Sequence, residues 1–162
     1  MGVIKQIISL ILPVTVLIII PLRIESNWAI TWGWNSALGI ILMTMGLIVM
    51  WLTIASFIRV GKGTLAPWAP TKKMVIVGLY RYVRNPMISG VLTILLGEAT
   101  IIWSVALLKW AVAFFIINTI YFIIYEEPGL EERFGNEYSE YKKNVSRWVP
   151  RLTPFNPTTE RK

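Results

Sequence analysis

Three acidic residues stand where a carboxylate has chemistry to do. Glu98 lies about a dozen residues into the apolar stretch Met87 to Tyr125, whose only other charge is Lys109. A carboxylate at that depth is costly unless it is paired, protonated or turned toward a cavity, which makes Glu98 a candidate for proton transfer. A hydrogen bond to a neighbouring helix through Asn118 or Thr119, or a pairing with Lys109, would serve a structural role instead. Glu126 and Glu127 form an adjacent pair where the same stretch ends, followed at once by Pro128 and Gly129. A solvated helix end is one reading. Two carboxylates at a helix C-terminus oppose its dipole, however, so a cationic partner is expected, either Arg84 or a ligand such as a sulfonium with its ammonium group. The run Gly78 to Pro86 interleaves Tyr80 and Tyr82 with Arg81 and Arg84, the makings of either an interfacial belt or a binding segment. The chain has no histidine and no cysteine, which removes thiolate zinc sites, disulfide frameworks and the commonest neutral-pH base together.

The elements that must position these groups follow from apolar patterning. At 55% hydrophobic residues and a mean hydropathy of +0.59, the 162-residue chain carries more apolar surface than one soluble core of that size can bury. Gln6 to Leu22 and Ser26 to Ile58 hold no charge, and Met87 to Tyr125 is long enough for two spans. The expectation is an all-α integral membrane protein in a single domain, 1–162, with about four transmembrane helices over 4–22, 36–58, 87–102 and 105–125. The last two form a C-terminal helical hairpin turning near Trp103 and Ser104. Trp28, Trp32 and Trp34 read as interface anchors before the second span, and Pro86 suits the first turn of the third. The first segment lacks a small-residue cleavage site before Arg23, which speaks for a retained span over a signal peptide.

Charge placement orients the spans. The segment 59–85 holds Arg59, Lys62, Lys72, Lys73, Arg81 and Arg84 and no acidic residue, which assigns it to the cytoplasmic side. Both termini then face the cytoplasm, as does the tail 126–162 with its seven Glu and seven Lys or Arg. Within that tail, Glu131 to Asn144 carries Phe134, Tyr138 and Tyr141 at helical spacing and reads as a cytosolic amphipathic helix. Arg147, Trp148 and Arg151 read as a headgroup-level anchor. The net charge of +7 is accounted for by this placement, with the bilayer as partner and no nucleic acid.

Taken together, the string GLYRYVRNPM, the helical hairpin and the string EEPGLEERFGNEYSEYKKNVSRWVPR resemble the isoprenylcysteine carboxyl methyltransferase and phospholipid methyltransferase superfamily over Gly61 to Arg151. That family's pattern is an Arg-His-Pro-x-Tyr element, a hairpin, an acidic pair and a Phe-Gly-x-x-Tyr-x-x-Tyr tail. The resemblance implies methyl transfer from S-adenosylmethionine to a lipophilic acceptor at the cytoplasmic face of a prokaryotic cell membrane. It implies that Lys72, Lys73, Met74, Val75, Gly78 and Tyr80 line the adenosine side. Arg84, Asn85, Pro86 and Ile88 occupy the Arg-His-Pro-x-Tyr element, and Glu126 and Glu127 the acidic pair. Asn85 replaces the family's histidine and Ile88 its tyrosine, so no imidazole can act as base, although an amide still donates and accepts. The prenylcysteine branch carries an arginine about a turn before the acidic pair. Trp110 to Tyr125 has no basic residue, which points away from prenylcysteine itself.

Transfer from a sulfonium requires alignment and exclusion of water, and no metal. Arg84, Glu127 and Glu98 are the residues expected to take part in catalysis. A carboxylate, thiolate or phosphate acceptor needs no base, whereas an amine would have to lose its proton to Glu98 or Glu127. Two other readings use the same residues. One is an NADPH-dependent membrane reductase of the sterol-reductase type, with arginines of the basic loop around the phosphates. The other is a lipid-binding scaffold that keeps the fold without the chemistry.

Overall fold

The computed structural model describes residues 11–30, 32–56 and 74–157, and among these there are helices, turns and irregular segments but no strand. Helix α1 runs over Ile11–Ile24, α2 over Trp34–Ser56, α3 over Pro86–Ile101, α4 over Val105–Phe134 and α5 over Asn136–Asn144. A 3-10 turn, Gly78–Arg81, precedes α3. Helices α2 and α4 are long and apolar enough to cross a membrane, while α1 and α3 are shorter apolar helices. Large apolar side chains such as Ile41, Trp51, Ile117 and Ile124 are exposed on the outer surface of these helices, as lipid-facing residues would be.

Helices α2 and α3 approach backbone to backbone because glycines meet in pairs. A Cβ on Gly39 would lie 2.8 Å from the carbonyl oxygen of Gly97, and one on Gly46 would lie 2.7 Å from that of Gly90. The pairs recur every seven residues on both helices, so the contact runs along one face of each. Val16, Val91, Leu95, Ala111 and Phe114 fill the space shared by α1, α3 and α4.

The α3–α4 turn falls at Trp103 and Ser104, as the sequence predicts. Trp103 adopts a positive φ of 54°. Its N–H donates to Thr100 (3.3 Å) and that of Ser104 to Ala99 (2.9 Å), the pairing that closes a helix C-terminus through one left-handed residue. Ser104 then caps α4 by accepting from the Leu107 N–H at 3.2 Å.

Two helices contain π turns, Thr15–Ile19 in α1 and Phe122–Glu126 in α4, and each is followed two residues later by a proline, Pro21 and Pro128. A mid-helix proline lacks an N–H and crowds the carbonyl four residues back, and the widened turn accommodates both. This corrects the sequence reading of Pro128 and Gly129 as a helix end. Helix α4 continues to Phe134, so the acidic pair lies inside a helix and its dipole is not what calls for a cation. The single tail helix expected over Glu131 to Asn144 is instead broken at Gly135, whose φ of 51° ends one helix and starts the next. Pro86 stands in the first turn of α3, as expected. Residues 4–10 of the first span and most of the basic loop, including Lys72 and Lys73, lie outside the described residues.

Candidate functional site

The site forms where the segment before α3, the polar end of α4 and the C-terminal tail converge. The tail is fastened along that segment by backbone bonds. The Arg84 N–H donates to Ser146 (3.0 Å), Arg151 to Tyr82 (2.9 Å) and Phe155 to Arg81 (2.9 Å). Beneath them Ile76, Tyr138, Tyr141, Val145 and Phe155 make a small apolar core, against which Met74 packs. The Tyr141 hydroxyl donates to the Tyr80 carbonyl oxygen at 2.6 Å and pins the 3-10 turn to α5.

Glu127 is the hub. Its side chain is 6% exposed and that of Arg84 is 9% exposed, so their 2.9 Å contact is a buried ion pair. Arg147 reaches the same oxygen through Nε at 2.6 Å, and Lys142 approaches the other oxygen at 3.2 Å while also bridging Glu131 at 2.8 Å. Arg84 donates further to the Tyr138 hydroxyl at 3.1 Å. Three cations thus share one buried carboxylate. Hydrogen bonding to Glu127 holds the Arg147 guanidinium above its ordinary pKa. Burial, with Glu126 nearby, pushes the Tyr80 phenol up to about 12, and burial raises Tyr138 and Tyr141 as well, so all three hydroxyls keep their protons at neutral pH.

The acidic pair divides its work. Adjacent positions of a helix point about 100° apart, so the two carboxylates reach different neighbours. Glu127 turns into the ionic cluster, whereas the half-buried Glu126 lies near Tyr121 and Arg133. Two buried donors remain without a partner among the described residues, Arg84 Nε and Trp148 Nε1. The Trp148 ring packs against Phe115 and Phe122 of α4, with centroids 5.1 Å and 5.9 Å away. Arg147 and Trp148 therefore turn inward, a correction to their reading as headgroup anchors. Arg151 stays at the surface, where it donates to the Asn144 carbonyl at 2.8 Å.

Of the other residues singled out from sequence, Asn85 caps α3 by position only, its side chain making no capping bond. Pro86 is buried beside it, and Ile88 packs into the apolar core of the bundle. Gly78, at φ 56°, lies so close to α2 that a Cβ there would meet Ser56 Oγ at 2.8 Å. Val75 is half-buried on the approach to that turn. Glu98 is not brought to this cluster. It lies twelve residues along α3 from Pro86, a rise of about 18 Å, within one turn of the opposite end. Asn118 and Thr119, its suggested partners, bond carbonyls of their own helix. Among the described residues no group of three or more acidic side chains is placed to hold a metal.

Lys142 and Arg147 escaped the sequence reading of the site. Tyr138 and Tyr141 were legible there only as the tail motif, through their spacing behind Phe134 and Gly135.

No curated protein and no solved structure matches the chain. A family model described as phospholipid methyltransferase matches residues 34–137, a stretch that takes in α2, α3, α4 and both Arg84 and Glu127. That match covers more than half of the 162 residues, and the chain belongs to the phospholipid methyltransferase family.

Proposed function

We propose that the protein transfers a methyl group from S-adenosylmethionine to a lipid acceptor at the cytoplasmic face of the membrane it spans with four helices. The observation that carries this reading is the Arg84–Glu127 ion pair, which ties the entry to α3 to the end of α4 within the matched family region. The donor set suits the cofactor. Arg84 Nε, the Asn85 amide and Trp148 Nε1 would receive its carboxylate and hydroxyls, and Glu126 its ammonium group. The bound cofactor supplies a methyl group on a positively charged sulfur, ready for in-line displacement.

The chain's own residues then have three tasks. Arg84, fixed by Glu127 and Tyr138, orients the cofactor's acidic end. The half-buried Tyr80 and the buried Tyr141, both protonated, exclude water from that end without adding negative charge. The tail closes over both through its backbone bonds to residues 81–84. With no histidine in the chain, an acceptor that is already nucleophilic needs no base, and the reading favours such an acceptor.

Helix α1 is the first of the four spans, and the short α3 completes the set by tilting less than α2 and α4 or by thinning the bilayer locally. This places the basic 59–85 segment and the tail on the cytoplasmic side. The test is transfer of a radiolabelled methyl group from S-adenosylmethionine to a total lipid extract by the reconstituted protein. Label should appear in the organic phase and vanish in Arg84→Ala and Asn85→Ala variants. Label that stays in the aqueous phase with wild-type protein across all lipid fractions would contradict the reading.

A further inference from the structure

Of the three residues expected from sequence to take part in catalysis, Glu98 is the one that lies outside the ionic cluster. It lines a cavity of about 410 Å³ at the opposite end of the bundle. That volume falls in the range of small-molecule pockets. The walls are apolar and come from three helices and a loop: Leu17 and Leu22 of α1, Met43 of α2, Trp28 of the α1–α2 connection, and Ile102 at the end of α3. Glu98 Oε2 is buried and finds no hydrogen-bond partner among the described residues. The Trp28 indole N–H is already satisfied by the Glu25 carbonyl oxygen at 2.8 Å, so what Trp28 has left to offer the cavity is its ring.

We infer that this cavity binds a compact lipophilic amine in its ammonium form, with the cation against Glu98 and Trp28 and the hydrocarbon against the aliphatic walls. The argument is one of complementarity. A carboxylate without a partner in an apolar surround is costly, and a cation is the ligand group that relieves that cost most fully. An aromatic wall adds attraction for a cation and none for an anion. The aliphatic lining takes hydrocarbon and gives no second polar anchor, so the ligand has one charged group and a nonpolar body. The site is separate from the proposed methyl-transfer site, about 18 Å away along α3. Its occupancy does not depend on the cofactor.

Three probes of one shape and different charge test this: adamantan-1-amine, adamantan-1-ol and adamantane-1-carboxylate. Equilibrium binding of the tritiated amine is measured on full-length protein in lipid nanodiscs without cofactor, with empty nanodiscs as the blank and the other two as competitors. Saturable binding of one amine per chain is expected, with the alcohol competing at least tenfold more weakly and the carboxylate not at all. Glu98→Gln should weaken the amine at least tenfold and leave the alcohol unchanged. Leu22→Trp, which fills the cavity from the exposed face of α1, should abolish binding of both, and it serves if Glu98→Gln does not fold. Equal competition by amine and alcohol, unchanged amine affinity in Glu98→Gln or Leu22→Trp, or no saturable binding to wild type would each overturn the inference.

Discussion

Glu127 is worth more to this molecule than a cofactor contact. With Arg84 and Arg147 on one oxygen and Lys142 on the other, removing its charge strands the buried Arg84, which has no other acidic partner among the described residues. Breaking one side of a buried ion pair costs roughly 3–5 kcal/mol. Glu127→Gln is therefore expected to lower thermal stability markedly in detergent, and its loss of activity alone would say little about chemistry. Glu126→Gln discriminates better. Glu126 makes no ion pair among the described residues and the amide has the same size, so stability should stay within about 0.5 kcal/mol of wild type. Affinity for S-adenosylhomocysteine should fall at least tenfold by calorimetry, and an unchanged affinity would remove Glu126 from the site. At this scale the sequence showed that the acidic pair wants a cation and that Arg84 is the nearest protein candidate. It did not show that neighbouring glutamates face different partners, because Pro128 and Gly129 read as a helix end while the helix in fact continues through the pair. Glu98 stood out by its depth, yet which end of α3 it serves required the helix to be laid out in space.

The elements are held by features that average hydropathy does not register. Gly39 and Gly46 on α2 and Gly90 and Gly97 on α3 repeat at a spacing of seven, a signal present in the sequence but invisible to a count of apolar residues. Leucine at Gly46 or Gly90 would drive a side chain into the facing backbone. Overpacking of this kind costs roughly 1–3 kcal/mol, and more where backbone must move. Either variant should unfold at lower temperature, and α2 cysteine cross-links to α3 should lose their efficiency. Gly129→Ala is the matching control. A Cβ there meets nothing within 4 Å, and its helical site should gain about 0.5–1 kcal/mol. The hairpin turn was legible to the residue, since Ser104 is a ready N-cap. Ser104→Ala should cost about 1 kcal/mol of stability in the same assay. The break at Gly135 was not, because the flanking charges and aromatics run on at helical spacing across it.

As a whole, the molecule separates two kinds of surface. One end gathers Arg84, Glu127, Lys142 and Arg147 under a bonded tail, and the other gathers Trp34 and Trp103, stacked edge-on at 5.4 Å, around the turn. The absence of cysteine makes sidedness directly measurable. Ser26→Cys, at an exposed position in the α1–α2 connection, should react with a membrane-impermeant maleimide on intact cells. Asn136→Cys, at the start of α5, should react only after permeabilisation. Labelling of both from the same side would refute the four-span arrangement. The most direct test of the central claim is calorimetric titration of the purified protein with S-adenosylhomocysteine and, separately, with NADPH. The account predicts saturable binding of the first, lost in Asn85→Ala, and none of the second. Binding of NADPH alone, or of neither, would contradict it.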